Sequence, residues 1–105
     1  MGYTRTSYDA VEPKAPGMYF LREALDCDSL GITVLEADGG WQGLEHDHEA
    51  DGQEEVYLLL SGSGQLTVEG EELTLTAGDA VRVEAESTRE LSFDEESLMV
   101  IAGAS

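Results

Sequence analysis

From Ile32 to the end of the chain, short apolar segments alternate with glycine-containing turns. The turns are Gly39-Gly40, Gly62-Ser63-Gly64, Glu69-Gly70-Glu71 and Ala77-Gly78-Asp79. The segments between them predict eight strands, at residues 32–37, 45–48, 55–60, 64–69, 72–76, 80–83, 89–93 and 97–102. Many short strands cut by glycine turns are typical of an all-β sandwich or barrel. We therefore predict a small all-β barrel.

The N-terminal part has a different composition. Residues 1–17 are polar and contain Pro13 and Pro16, which predicts an extended arm before a first regular element at residues 18–21. Residues 21–30 permit either a short helix or an irregular turn. Because 105 residues allow one compact core, we expect an arm over residues 1–17 and a single β domain over residues 18–105.

The charge balance limits the partners. The chain has 23 acidic and 5 basic residues, a formal net charge of −18, which repels nucleic acid and anionic membranes. The apolar runs are far shorter than the ~20 residues of a membrane-spanning helix, and the N-terminus lacks the apolar core of a signal peptide. We expect a cytoplasmic protein, and we attribute the acidity to a halophile whose molar salt screens the self-repulsion.

The predicted strand at residues 55–60 is apolar on both faces. Residues 55, 57 and 59 point to one side and residues 56, 58 and 60 to the other. If the first set lines the barrel, the second needs a cover, which can be another sheet, the N-terminal arm or a second subunit. We therefore expect a homodimer.

The two histidines of the chain, His46 and His48, are separated by one residue. On a strand both imidazoles point to one face, where they can ligate zinc, iron, copper or nickel. A carboxylate from the next strand, for which Glu55 is the natural candidate, can complete a two-histidine, one-carboxylate set. The alternative is that both histidines stand on the acidic surface in place of lysines.

Glycines at set distances surround these three residues. Gly40, His46, His48, Glu55 and Gly62 resemble the first motif of the cupin superfamily, G(x)5HxH(x)3-4E(x)6G. Six residues separate His48 from Glu55 instead of three or four, and a loop between strands can absorb the difference. Glu54 is the alternative carboxylate, but the six residues between Glu55 and Gly62 favour Glu55.

The second cupin motif is recognisable at residues 78–89, but it is degraded. Glu84 and Glu86 stand where the family has proline and glycine, and Arg89 stands where it has its fourth metal ligand, a histidine. A guanidinium cannot ligate a cation. Arg89 can turn away and leave a three-ligand site, pair with Glu55 and make the pocket metal-free, bind an anionic ligand group, or pair with surface carboxylates.

The resemblance implies a cupin barrel over about residues 32–102, with a divalent metal such as zinc, iron, manganese or nickel bound by His46, His48 and Glu55. Arg89, Tyr57, Phe93 and Trp41 are the predicted ligand-binding residues, although aromatic residues in a small barrel also serve as core. An enzyme of this type acts on a small polar molecule such as a sugar or carboxylic acid. Two alternatives remain: a metal-free binding or sensing module in which Arg89 pairs with Glu55, and a structural dimer with a vestigial site.

Overall fold

The computed structural model describes residues 2–105 and contains two antiparallel β-sheets with almost no helix. The strands are β1 (Met18–Phe20), β2 (Leu30–Ala37), β3 (Glu54–Ser61), β4 (Ser63–Val68), β5 (Glu71–Thr76), β6 (Ala80–Val83), β7 (Arg89–Phe93) and β8 (Ser97–Ala104). One sheet has the order β1-β2-β8-β3-β6 and the other β5-β4-β7. The all-β prediction is confirmed. Over residues 2–105 the two sheets remain separate ladders rather than one closed sheet.

The core lies between the two sheets. Alternate residues of the strands turn inward, as in β7, where positions 89, 91 and 93 are buried and Glu90 is exposed. Every strand from β2 to β8 contributes to the core, whose main side chains are Leu35, Tyr57, Leu59, Leu66, Leu75, Val83, Leu91, Phe93 and Met99. The alternation of buried and exposed residues along each strand therefore builds a core between the two sheets.

Two glycine turns depend on positive φ. Glu69 and Gly70, with φ of 48° and 79°, join β4 to β5 as a two-residue hairpin, a loop that requires positive φ at both central residues. Gly62, with φ of 93°, lies at the corner where the chain passes from the five-stranded to the three-stranded sheet. A Cβ atom there would lie 2.1 Å from Ser97 Oγ, so no larger residue fits without movement.

The structure corrects one expectation from the sequence and decides between two alternatives that the sequence left open. The predicted strand at residues 45–48 does not form, because only Gln42 and His46 make isolated bridges, to Ser92 and Arg89 of β7. Residues 21–29 form turns, which selects the irregular alternative over the short helix. The predicted element at residues 18–21 is β1.

The residues before β1 contact the five-stranded sheet, through backbone hydrogen bonds of Lys14 and Gly17 with Met18 and Glu36 and through the side chain of Tyr8. A 3-10 helix spans Tyr8–Ala10, and the ring of Tyr8 packs edge-on against Tyr19 at a centroid distance of 5.3 Å. The Tyr8 hydroxyl donates to the Glu36 carboxylate, which raises the pKa of Tyr8. No helix within residues 2–105 is long and apolar enough to cross a membrane.

Candidate metal and ligand site

Glu55 and Tyr57 reach the interior from β3. They are two residues apart and point to the same face, and the Tyr57 hydroxyl donates to Glu55 Oε1 at 2.7 Å. On β8 the strand partner of Glu55 is Gly103, which has no side chain, and on β6 its partner is Val83. Burial, followed by the hydrogen bond to Glu55, raises the pKa of Tyr57, so its hydroxyl stays protonated and donates.

Arg89 reaches the same carboxylate from the opposite sheet. Its side chain has 0% exposure, and Nη1 lies 3.1 Å from Glu55 Oε1. Its Nη2 donates to the backbone carbonyl of Glu84. Its Nε is the one buried side-chain nitrogen or oxygen in the described chain without a hydrogen-bond partner. Of the alternatives for Arg89, the structure selects pairing with Glu55 over surface carboxylates.

His46 is held beside Arg89 by the backbone. The segment before it runs antiparallel to β7: Phe93 N–H donates to Trp41 O, and Gly43 N–H donates to Leu91 O. His46 and Arg89 then exchange two backbone hydrogen bonds of 2.9 and 2.8 Å. The pairing slips by one residue between Gly43 and His46. This bulge interrupts the ladder and explains why the predicted strand at 45–48 is reduced to a single bridge.

The six residues between His48 and Glu55 form a turn that is closed by a backbone hydrogen bond. Gly52 N–H donates to the carbonyl of His48 at 2.8 Å, with Gly52 at φ 69°. The turn brings Asp51 back against the ring of His48, with Oδ2 at 3.1 Å from Nδ1. Hydrogen bonds from Gln53 N–H and then from His48 lower the pKa of Asp51. Sequence analysis missed Asp51, although the two extra residues in the spacing marked this loop.

The three predicted ligands come together. One ligand atom each from His46, His48 and Glu55 lie within 4.8 Å of one another, and His48 Nε2 lies 3.3 Å from Glu55 Oε2. The second carboxylate candidate, Glu54, points away and pairs with Arg82 at 2.7 Å. Glu55 Oε1 accepts hydrogen bonds from Arg89 and Tyr57, whereas Oε2 faces His48.

The partners of the histidines determine which ring nitrogens remain free. His46 Nδ1 lies 3.1 Å from the carbonyl of Leu44, and His48 Nδ1 lies 3.1 Å from the Asp51 carboxylate. Because both oxygens only accept, both Nδ1 atoms carry the proton, and in a neutral ring Nε2 then offers a lone pair. Metal-binding histidines have this arrangement, with an oxygen acceptor on the second ring nitrogen.

The donor set fits a divalent transition metal. Two neutral imidazoles and one carboxylate oxygen are ligands for zinc, iron, manganese or nickel. Ligands on a tetrahedral zinc, each about 2.1 Å from the ion, lie roughly 3.4 Å apart, close to the 3.3 Å between His48 Nε2 and Glu55 Oε2. His46, His48 and Glu55 would hold the ion, and Arg89 and Tyr57 would orient Glu55.

These residues line a main cavity of about 790 Å³ between the sheets. Arg89, Tyr57 and Trp41 lie on its wall, with Leu91 and Ile101. Phe93 does not line the cavity. It is buried in the core, where its ring packs 5.7 Å from that of Trp41. Of the four predicted ligand-binding residues, the structure therefore brings three to the cavity and leaves Phe93 supporting Trp41.

The comparisons with known proteins agree with this architecture. A comparison with curated proteins found no match. A cupin protein from Bacteroides fragilis is 25% identical, with a TM-score of 0.82 over 99% of this chain and 85% of its own. KdgF from Halomonas sp. is 18% identical, with a TM-score of 0.78 over 99% and 94% of the two chains.

A sugar phosphate isomerase of the cupin superfamily from Silicibacter pomeroyi is 17% identical, with a TM-score of 0.76 over 96% of this chain and 75% of its own. At these identities the last two structures show a shared fold alone. The model of the Cupin domain family matches residues 33–102, which include the two histidines, Glu55 and Arg89. The chain therefore belongs to the cupin domain family.

Proposed function

We propose that the protein binds a divalent transition metal through His46, His48 and Glu55 and uses the main cavity for a small polar ligand. One observation carries the proposal: Arg89 and Tyr57 contact Oε1 of Glu55, while Oε2 faces His48. Pairing with Arg89 therefore leaves Oε2 of the carboxylate available to a metal ion. A metal bound there would polarise an oxygen of the ligand as a Lewis acid.

The chain's own residues prepare the site for this role. Arg89 neutralises Glu55 from the buried side, and the protonated Tyr57 hydroxyl stabilises the same oxygen. Leu44 O and Asp51 hold the two rings in the tautomer with Nε2 free. Arg89 Nε is a buried donor without a hydrogen-bond partner among the described residues.

Elemental analysis of protein purified without an affinity tag or chelator tests the proposal. We expect about one metal ion per chain, lost in His46→Ala and His48→Ala. Arg89→His, which supplies the missing fourth ligand, should bind the metal more tightly. Absence of metal from the wild-type protein, even after it is added in excess, would refute the proposal.

The competing function is a metal-free binding or sensing module. It is favoured by the Arg89 and Glu55 pair and by the position of His48 between the Asp51 and Glu55 carboxylates. A doubly protonated His48 donates to both carboxylates without a metal. In this case a polar ligand binds equally well to chelator-treated protein and to the His46→Ala variant, which separates the two functions.

We further propose that the outer face of the five-stranded sheet packs on a second copy of the chain. Two rows of paired residues cross this face: Ile32, Ala102 and Val56 in one, and Val34, Val100 and Leu58 in the other. Val56 and Leu60 are 39% and 48% exposed. Light scattering should show a dimer that Val56→Asp dissociates and that Thr74→Asp, on the exposed side of β5, leaves intact. A monomer at all concentrations would refute the dimer.

We also propose that the net charge of −18 reflects a cytoplasm of molar salt. At 1 M salt the screening length is about 3 Å, so the carboxylates no longer repel one another across the surface. The melting temperature should rise steadily with KCl concentration. Equal melting temperatures at low and molar KCl would contradict this interpretation.

A further inference from the structure

A second pocket opens beside the metal site. This side pocket, of about 430 Å³, shares Phe20, Thr33, His48, Glu55 and Ile101 with the main cavity. Volumes of this size are typical of small-ligand sites. The two pockets therefore adjoin at His48 and Glu55.

The side pocket collects basic residues in a chain that has few. Lys14 and Arg22 both line it, and Arg89 lies on the adjoining wall of the main cavity. Three of the five basic residues of the chain thus line these two adjoining pockets. Among the lining carboxylates, that of Glu55 is neutralised by Arg89, which leaves Glu23 against the two cations.

The two cations of the side pocket have no carboxylate partner. Within residues 2–105, the ion pairs involve Arg82, Arg89 and His48, and neither Lys14 nor Arg22. Arg5 also has no ion pair within residues 2–105, and Lys14 and Arg22 differ from it in lining the pocket. The guanidinium of Arg22 is anchored through one nitrogen to the carbonyl of Asp28, which leaves its other N–H groups as donors.

We infer that the side pocket is the anion-binding half of the ligand site, and that the ligand is a small hydroxylated anion. Its carboxylate or phosphate lies between Lys14 and Arg22, and its hydroxyl groups face His48 and Glu55. The inference rests on the proposed function for the placement of the hydroxylated end. The anionic end depends on Lys14 and Arg22 alone.

The net charge makes local cations necessary for such a ligand. A field from a charge of −18 repels an anion at long range, but salt screens that field beyond about 8 Å at physiological ionic strength. Within this distance, the pocket lining brings the two positive charges of Lys14 and Arg22 against the single negative charge of Glu23. The arrangement lets an acidic protein select an anion at one position.

Calorimetric titration with three matched sugars tests the inference: D-glucuronate, D-glucose 6-phosphate and D-glucose. They share one ring and differ in charge at C6. We expect at least one charged sugar to bind at least about tenfold more tightly than glucose, since one charge-assisted hydrogen bond contributes about that factor. The preferred anion then identifies carboxylate or phosphate.

The double variant Lys14→Gln/Arg22→Gln should lose this preference, so that charged and neutral sugars bind within about threefold of each other. Arg82→Gln removes a cation that is paired with Glu54 away from the pocket and should keep the preference. Circular dichroism verifies that each variant is folded. Arg22→Lys should retain part of the preference, because it keeps the charge.

The inference is overturned if the double variant keeps the anion preference, if glucose binds as tightly as both anions, or if none of the three sugars binds. Metal content is measured separately in the same samples. A wild-type protein without metal whose anion preference still depends on Lys14 and Arg22 refutes the proposed metal site and supports the anion pocket. A metal-loaded protein without anion preference supports the proposed metal site and refutes the anion pocket.

Discussion

The two halves of the metal site are built differently. Glu55, Tyr57 and Arg89 project from paired strands, and the side chains of Arg89 and Glu55 are 0% and 14% exposed. His46, His48 and Asp51 lie on an irregular loop, where the side chains of His48 and Asp51 are 21% and 54% exposed. We call these the strand-held half and the loop-held half.

The difference separates folding from binding. In the strand-held half, a buried charge pair joins the two sheets, so a substitution there disturbs both the fold and the site. In the loop-held half, the side chains are near solvent and contribute little to the core. Substitutions there should affect ligand binding with little effect on stability.

The largest expected effect is that of Arg89→Leu. Removing the guanidinium leaves the Glu55 carboxylate without its cation, which should cost about 3–5 kcal/mol of unfolding free energy. Denaturant unfolding measures it. Arg82→Leu, at an exposed ion pair, should cost about 0–1 kcal/mol. Equal losses in the two variants would contradict the distinction between the halves.

Next in size is the loss of metal binding in His48→Ala. The dissociation constant for the metal should rise more than about 100-fold, beyond the 10–100-fold effect of an outer partner. The unfolding free energy of the metal-free protein should change by no more than about 0.5 kcal/mol. Competition with a chromophoric chelator measures the affinity. Asp47→Ala serves as the control, and a large loss of stability in His48→Ala would place this residue in the strand-held half.

Asp51→Ala should have a smaller effect on the same measurement. Without the carboxylate that holds Nδ1 of His48, metal affinity should fall about 10- to 100-fold. Glu49→Ala removes one negative charge from the same loop without contacting a histidine and controls for the change in net charge. If both variants weaken binding equally, Asp51 acts through charge rather than by orienting the ring.

The smallest effect belongs to Tyr57→Phe. This variant keeps the packed ring and removes the hydrogen bond to Glu55 Oε1, which should cost about 0.5–1.5 kcal/mol of unfolding free energy. Arg89 still holds the carboxylate, so the metal affinity should change less than in Asp51→Ala. A larger loss of affinity would show that Tyr57, rather than Arg89, positions Glu55.

Local patterns in the sequence predicted most strands well. Alternation and glycine turns located seven of the eight expected strands from β2 to β8 to within a few residues, because both features act over adjacent residues. The strand at 45–48 failed because its ladder depends on β7, about 45 residues away, and a bulge breaks the pairing there. Phe93 was predicted to bind the ligand, but it is buried in the core and packs against Trp41, which lines the cavity in its place.

Spacing and alternation are local properties, and they were enough to predict the all-β architecture, the cupin motif and the three ligand candidates. Only the packing of distant segments shows which oxygen of Glu55 binds Arg89, that Asp51 turns back to His48, and that Lys14 and Arg22 line one pocket beside the site. These contacts join residues from different strands and loops. Their geometry follows from how the two sheets pack, which no local pattern encodes.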